Sequence, residues 1–91
     1  MRFEWDETKR RINLRRHGID FVDGENVFRG DTLTIEDTRL DYGETRYVRL
    51  GLLKGRVVAV IHTEQDNVIR IISIRKATKY EEEKYLKQIS D

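Results

Sequence analysis

The chain contains no cysteine, which excludes disulfide bonds and thiolate metal sites together. It contains no proline, and no low-complexity tract, repeat or shift in composition marks a linker or a second domain. Its two histidines, His17 and His62, lie too far apart in sequence to form a metal-ligand spacing, so neither a metal nor any other cofactor is expected. No apolar run approaches the roughly 18 residues of a membrane span, and the first residues are charged rather than signal-like. No membrane contact is expected, and the default location is the cytoplasm. The 91 residues read as one domain, residues 1–91, with an expected radius of gyration of roughly 12 Å. Hydrophobic residues make up 37% and charged residues 38%, which is low for a large core but sufficient for a small sheet carrying helices.

Net charge is almost lacking as well, at +1, but its distribution is uneven. Residues 9–17 hold Lys9, Arg10, Arg11, Arg15 and Arg16 with no acid. Residues 31–45 hold Asp31, Glu36, Asp37, Asp41 and Glu44 against Arg39 alone, and residues 46–62 hold Arg46, Arg49, Lys54 and Arg56 with no acid. Segregation of this kind points to one polyanion-facing surface and one that meets a basic partner. The alternative is a set of solvated helix and strand edges.

Residues 2–5 suit an edge strand. Asp6 is a plausible N-cap for a helix over 7–17, with Gly18 as its left-handed stop. That helix is expected to bury Ile12 and Leu14. Ile19-Asp20-Phe21 reads as a second cap followed by a short helix to Phe28, weakened by Gly24. Leu33–Glu36, Arg46–Leu52, Arg56–Glu64 and Val68–Lys76 read as strands. Thr78 with Glu81 three residues on forms a capping box, so a last helix should start there and run to about Gln88.

Leu53-Lys54-Gly55 and Gln65-Asp66-Asn67 both suit three-residue hairpin loops that end in a left-handed residue. The registers then set Arg46 opposite His62 and His62 opposite Arg70, a row of three on one face. That face continues as Val48, Val60, Ile72, Leu50, Val58 and Ile74 beneath the first two helices. The other carries Tyr47, Arg49, Ser73, Arg75 and small residues, a shallow groove for a polyanion. Strict alternation along Val68–Lys76 places Arg70 and Lys76 on one face and Arg75 on the other. Phosphate is the usual reason to hold arginine near a small core, because its planar fork donates bidentately to phosphate oxygens.

An ordered set of residues runs nearly end to end: Phe3-Glu4-Trp5-Asp6-Glu7 with Lys9, Asn13, His17-Gly18, Val27-Phe28, Gly43-Glu44 with Arg46, Gly51, Arg70-Ile71-Ile72-Ser73 with Arg75, Ala77, Glu81 and Tyr85. The set resembles the BrnT family of type II toxin–antitoxin ribonucleases, a branch of the RelE-like toxins. The resemblance implies a toxin that cleaves RNA and arrests growth. It also implies a BrnA-like antitoxin that binds the toxin and represses the shared operon, so that operator DNA is met only through the antitoxin. Gly24 stands where the family more often has Ala, Ile74 where a small residue is common, and His62 where Tyr is also frequent. The fold so implied is α+β and RelE-like: an antiparallel sheet of four to five strands, two N-terminal helices on one face and a C-terminal helix.

Metal-independent cleavage uses the ribose 2′-OH as nucleophile and needs a base, cationic donors for the phosphorane and an acid for the leaving oxygen. His62 has a pKa range that suits a proton carrier, and adjacent Arg46 and Arg70 would favour its neutral form. A satisfied structural histidine is the alternative. Arg75 and Arg49 are candidates for phosphate contact, with Ser73 as an orienting hydroxyl and Lys76 as a further cation. Pairing of Arg75 with Glu81, Glu82 or Glu83 is the competing reading. Tyr85 stacks on a base or packs on the sheet. Lys9, Asn13 and His17 line one side of the first helix as a possible RNA stripe, while Arg10, Arg11, Arg15 and Arg16 form a solvated face or a docking site for an acidic antitoxin segment. The rival class is a non-catalytic nucleic-acid-binding or scaffold module.

Overall fold

In a computed structural model the described residues are 1–90. They form β1 (Arg2–Trp5), α1 (Glu7–His17), a 3-10 turn (Phe21–Asp23), α2 (Gly24–Arg29), β2 (Leu33–Asp37), β3 (Arg46–Leu53), β4 (Arg56–Gln65), β5 (Val68–Lys76) and α3 (Lys79–Ser90). The five strands make one sheet in the order β1-β5-β4-β3-β2. It is mixed and not wholly antiparallel, because β1 pairs parallel to β5. No hairpin joins those two strands; everything from α1 to β4 lies between them, the long connection that a parallel pair requires.

The helices start and stop where local chemistry dictates. The Asp6 side chain accepts from the Lys9 N–H at 3.0 Å, and Gly18 ends α1 at φ 71°. The Asp20 carboxylate accepts from the Val22 N–H at 3.1 Å and turns the expected second helix into a 3-10 turn before α2. Gly24 has a packing reason: a Cβ there would lie 2.6 Å from Ile71 Cδ1. The Thr78–Glu81 capping box forms in both directions, at 3.1 and 2.9 Å. Ile12 and Leu14 are not buried, being 46% and 40% exposed; α1 docks instead through Asn13.

Both central hairpins close with two-residue loops, not three. Lys54 and Gly55 have φ 52° and 78°, and Asp66 and Asn67 have φ 53° and 65°. Two successive positive φ values are the signature of the type I′ turn, whose twist matches that of the flanking strands. Each register therefore moves by one residue: Tyr47, not Arg46, faces His62, and Thr63, not His62, faces Arg70. A one-residue slip sends a side chain to the other face of the sheet.

A β-bulge adds a second correction. Ile61 faces Ser73 while His62 faces Ile71, which leaves Ile72 as an extra residue in β5. The bulge breaks the alternation, so Ile69, Ile71 and Ile74 share one face while Arg70, Ser73 and Arg75 share the other. Strand β5 thus does not carry an arginine on each face.

Each face buries a core. Beneath α1, the 3-10 turn and α2 lie Phe21, Val27, Val58, Val60, Ile71 and Ile74, with Phe3 and Trp5 packed on them. On the α3 side lie Val48, Leu50, Ala59, Ile61, Ala77 and Tyr85. The expected polyanion groove is thus half filled by the last helix, and only one end of that face stays open.

Candidate active site

The open end of the α3 face carries a row of charged and hydroxyl side chains across the sheet. Asp37 pairs with Arg46 and Thr63 with Arg70, which in turn pairs with Glu4. Thr63 lies one residue past the Tyr47–His62 pair and so comes alongside Arg46. The two loop corrections act in the same direction, which keeps Arg46 and Arg70 in one row. The slip falls wholly on His62, and Thr63 takes its place.

The left-handed turn at Gly43, φ 71°, delivers Glu44 onto this row. Its carboxylate accepts from Arg46 Nε at 3.2 Å and from Arg70 Nη2 at 2.6 Å. Burial works to raise the Glu44 carboxyl, but the hydrogen bonds and charges of Arg46 and Arg70 outweigh it and hold it below the usual range. The Arg46 guanidinium lies 4.0 Å over the Tyr42 ring, an arrangement that fixes its plane. Tyr42 donates its hydroxyl to Asp37 at 3.1 Å. Asp37 also takes a bidentate pair from Arg39, at 2.9 Å on each oxygen, and its pKa falls to about 2, chiefly through that pair. Beside the row opens a cavity of about 710 Å³ lined by Arg2, Glu4, Glu44, Thr63 and Arg70 among others.

His62 sits on the opposite face and is fully buried. Its ring stacks on Tyr47 with centroids 5.6 Å apart and meets the edge of Phe28 at 5.1 Å. Burial and then the charge of Arg49 lower its pKa to about 4, and among the described residues Nε2 has no hydrogen-bond partner. Arg49 is on this face too, not with Arg75. Its guanidinium lies 4.1 Å over Phe28 and donates to Glu64 at 3.1 Å.

This environment predicts a pH effect. A histidine whose pKa falls from 6.5 to about 4 on folding binds its proton better in the unfolded chain. Its contribution is present above pH 6.5 and is lost as the pH falls toward 4. Between pH 6.5 and 5 the loss should be about 2 kcal/mol. Urea unfolding should show it in the parent protein and not in His62→Phe; equal slopes in the two would remove His62 as the source.

The remaining candidates are scattered. Arg75 makes a bidentate pair with Glu81 at 2.7 and 3.0 Å, which ties β5 to the first turn of α3. Tyr85 is buried and donates its hydroxyl to the Asp31 carbonyl at 2.8 Å; it packs on the sheet and is not free to stack on a base. Ser73 is half-buried on the α3 face, Lys9 is exposed on α1, and Lys76 is exposed at the far end of the sheet on the α1 face. Asn13 belongs to no RNA stripe, since its amide is buried against β5. Sequence reasoning missed Thr63 and gave Glu44 no role. Two-residue loops would have exposed the first, and the Gly43 turn points to the second.

In this small α+β domain two arginines from two strands converge on one carboxylate beside an open cavity. The chain belongs to a known family of toxins: the model described as "Ribonuclease toxin, BrnT, of type II toxin-antitoxin system" matches residues 5–81. Comparison with curated proteins gives no match. The chain is thus a ribonuclease toxin by family, and a type II system implies an antitoxin as partner and RNA as target. Among the described residues no helix is long and apolar enough to cross a membrane.

Proposed function

We propose that the protein is a metal-independent endoribonuclease whose phosphate seat is the Arg46–Arg70 pair. The observation that carries this reading is their convergence, from two strands, on Glu44 at 3.2 and 2.6 Å. A carboxylate held between two guanidiniums occupies the place a phosphodiester would take. When RNA enters, its phosphate replaces Glu44, and the displaced carboxylate regains an ordinary pKa beside the ribose. Glu44 then accepts the 2′-OH proton, the O2′–P bond forms and the P–O5′ bond breaks. The 5′-oxygen takes a proton from water, leaving a 2′,3′-cyclic phosphate. Arg46 and Arg70 bear the charge that builds on the phosphorane, and Thr63 donates its hydroxyl to a phosphate oxygen.

In this reading His62 and Arg49 support the seat from behind, and Arg75 and Tyr85 hold α3 in place. Family membership supports the rest of the proposal: a RelE-like fold, a BrnA-like antitoxin that alone touches operator DNA, and action in the cytoplasm that ends growth. Replacing the scissile 2′-OH with hydrogen in a short RNA should abolish cleavage, and chelation by EDTA should leave cleavage of the normal RNA intact. Cutting of the deoxy-substituted strand at that position would overturn the mechanism.

A further inference from the structure

Beyond the open end of the α3 face, the molecule has a second concave site at the other end of the sheet, on the α1 face. It is a cleft of about 300 Å³ between the end of α1, the β3–β4 turn and the end of β5. Its apolar floor is Ile19, Leu53 and the buried Val58; its rim is His17, Lys54, Arg56 and Lys76, with Asp23 the one acid among the lining residues. Among the described residues none of Lys54, Arg56 and Lys76 is in an ion pair, as holds for every lysine, while seven of the twelve arginines have a carboxylate partner. The last turn of α1 adds Arg15 and Arg16 next to His17. Three cations against one acid around an apolar floor make a net-positive concave surface, in a chain with nearly as many acids as bases, that an acidic partner complements.

The geometry points to a docking cleft for a protein segment that alternates acidic and aliphatic residues, carried by the antitoxin partner that the family implies. The inference rests on the toxin reading for the identity of the partner, not for the cleft. An acidic peptide is favoured over RNA on two grounds. No Phe, Tyr or Trp lines the cleft, and the flat side chains it offers are only His17 and Arg56, a poorer stacking platform than an aromatic groove. Val58 and Thr63 are also five residues apart on β4 with side chains on opposite faces, which puts the cleft roughly 17 Å along the strand from the phosphate seat, with the sheet between. One RNA strand does not reach both by a direct path. A peptide places its aliphatic side chains on Leu53 and Ile19 and its carboxylates on Lys54, Arg56 and Lys76.

The test uses the full chain and two labelled probes, a short peptide alternating Glu with Leu and a short single-stranded RNA. The variant is Arg56→Glu with Lys54→Asn; Asn tolerates the left-handed backbone of position 54, φ 52°. Fluorescence anisotropy should show the peptide binding the parent and losing about tenfold or more in affinity to the variant. RNA cleavage should stay within about twofold of the parent, with an unchanged circular dichroism spectrum. A parent that ignores the peptide, a variant that still binds it, or a variant that loses RNA cleavage would each overturn the cleft as a peptide site. If the parent cuts no RNA while peptide binding still depends on Arg56, the ribonuclease reading falls and the cleft stands. A peptide with Lys in place of Glu should not bind; binding equal to that of the Glu peptide would reduce the cleft to an apolar contact and overturn the charge argument.

Discussion

Arg70→Ala should lower RNA cleavage by about 10²–10³-fold, the usual effect of removing one preorganised donor from a developing negative charge. The fold should survive, because the Arg70 side chain is 45% exposed and among the described residues hydrogen-bonds to Glu44 alone. Arg70→Lys should also be strongly impaired, since an ammonium keeps the charge and loses the fork. Arg46→Ala should behave similarly, with a smaller structural cost from the lost stacking on Tyr42. If the two arginines bind one phosphate as a unit, the fold-loss in the double variant should be far smaller than the product of the two single fold-losses. Single-turnover cleavage of a labelled RNA measures this directly. Full activity in a folded Arg70→Ala protein would move the phosphate seat elsewhere.

The arginines were legible in the sequence because their pairing depends on two loops whose errors cancel. Reading each loop as three residues instead of two displaces every register by one, yet Arg46 and Arg70 stay aligned across β4. The residue between them bears the whole error: His62 goes from the centre of the site to the buried face. Its residue type fits proton-transfer chemistry, but its ring is buried and its pKa is depressed. The second loss came from the bulge at Ile72. Strict alternation is a property of regular strands, and no Gly or Pro announces the break, so Arg75 was separated from Arg70 and grouped with isoleucines of the other core. Helix boundaries fared better, because Asp6, Gly18 and the Thr78–Glu81 pair are local devices that need no knowledge of registers.

Asn13 shows how a polar residue on a basic helix can belong to the fold instead of to the site. Strand β1 ends at Trp5 opposite Ile71, so the edge of β5 beyond that point has no strand beside it. The Asn13 amide fills the gap: Nδ2 donates to the Ile74 carbonyl at 2.8 Å and Oδ1 accepts from the Ile74 N–H at 3.1 Å. A further bond from Nδ2 to the Ile19 carbonyl at 3.0 Å fixes the chain after the helix. An amide is the side chain that offers both a donor and an acceptor in one plane, which gives Asn13 a role no charged or apolar residue can fill. Asn13→Ala should cost about 2–6 kcal/mol, because the Ile74 N–H and C=O are left buried without partners at about 1–3 kcal/mol each. Against a total of roughly 5–15 kcal/mol for a domain, that is a severe loss. Asn13→Asp should be at least as damaging at neutral pH, where a carboxylate faces two carbonyl oxygens, and should partly recover on acidification as it gains a donor proton. Urea denaturation of the purified variants decides the matter. A loss below about 1 kcal/mol for Asn13→Ala would mean that water replaces the amide, and that α1 is held to the sheet by other contacts.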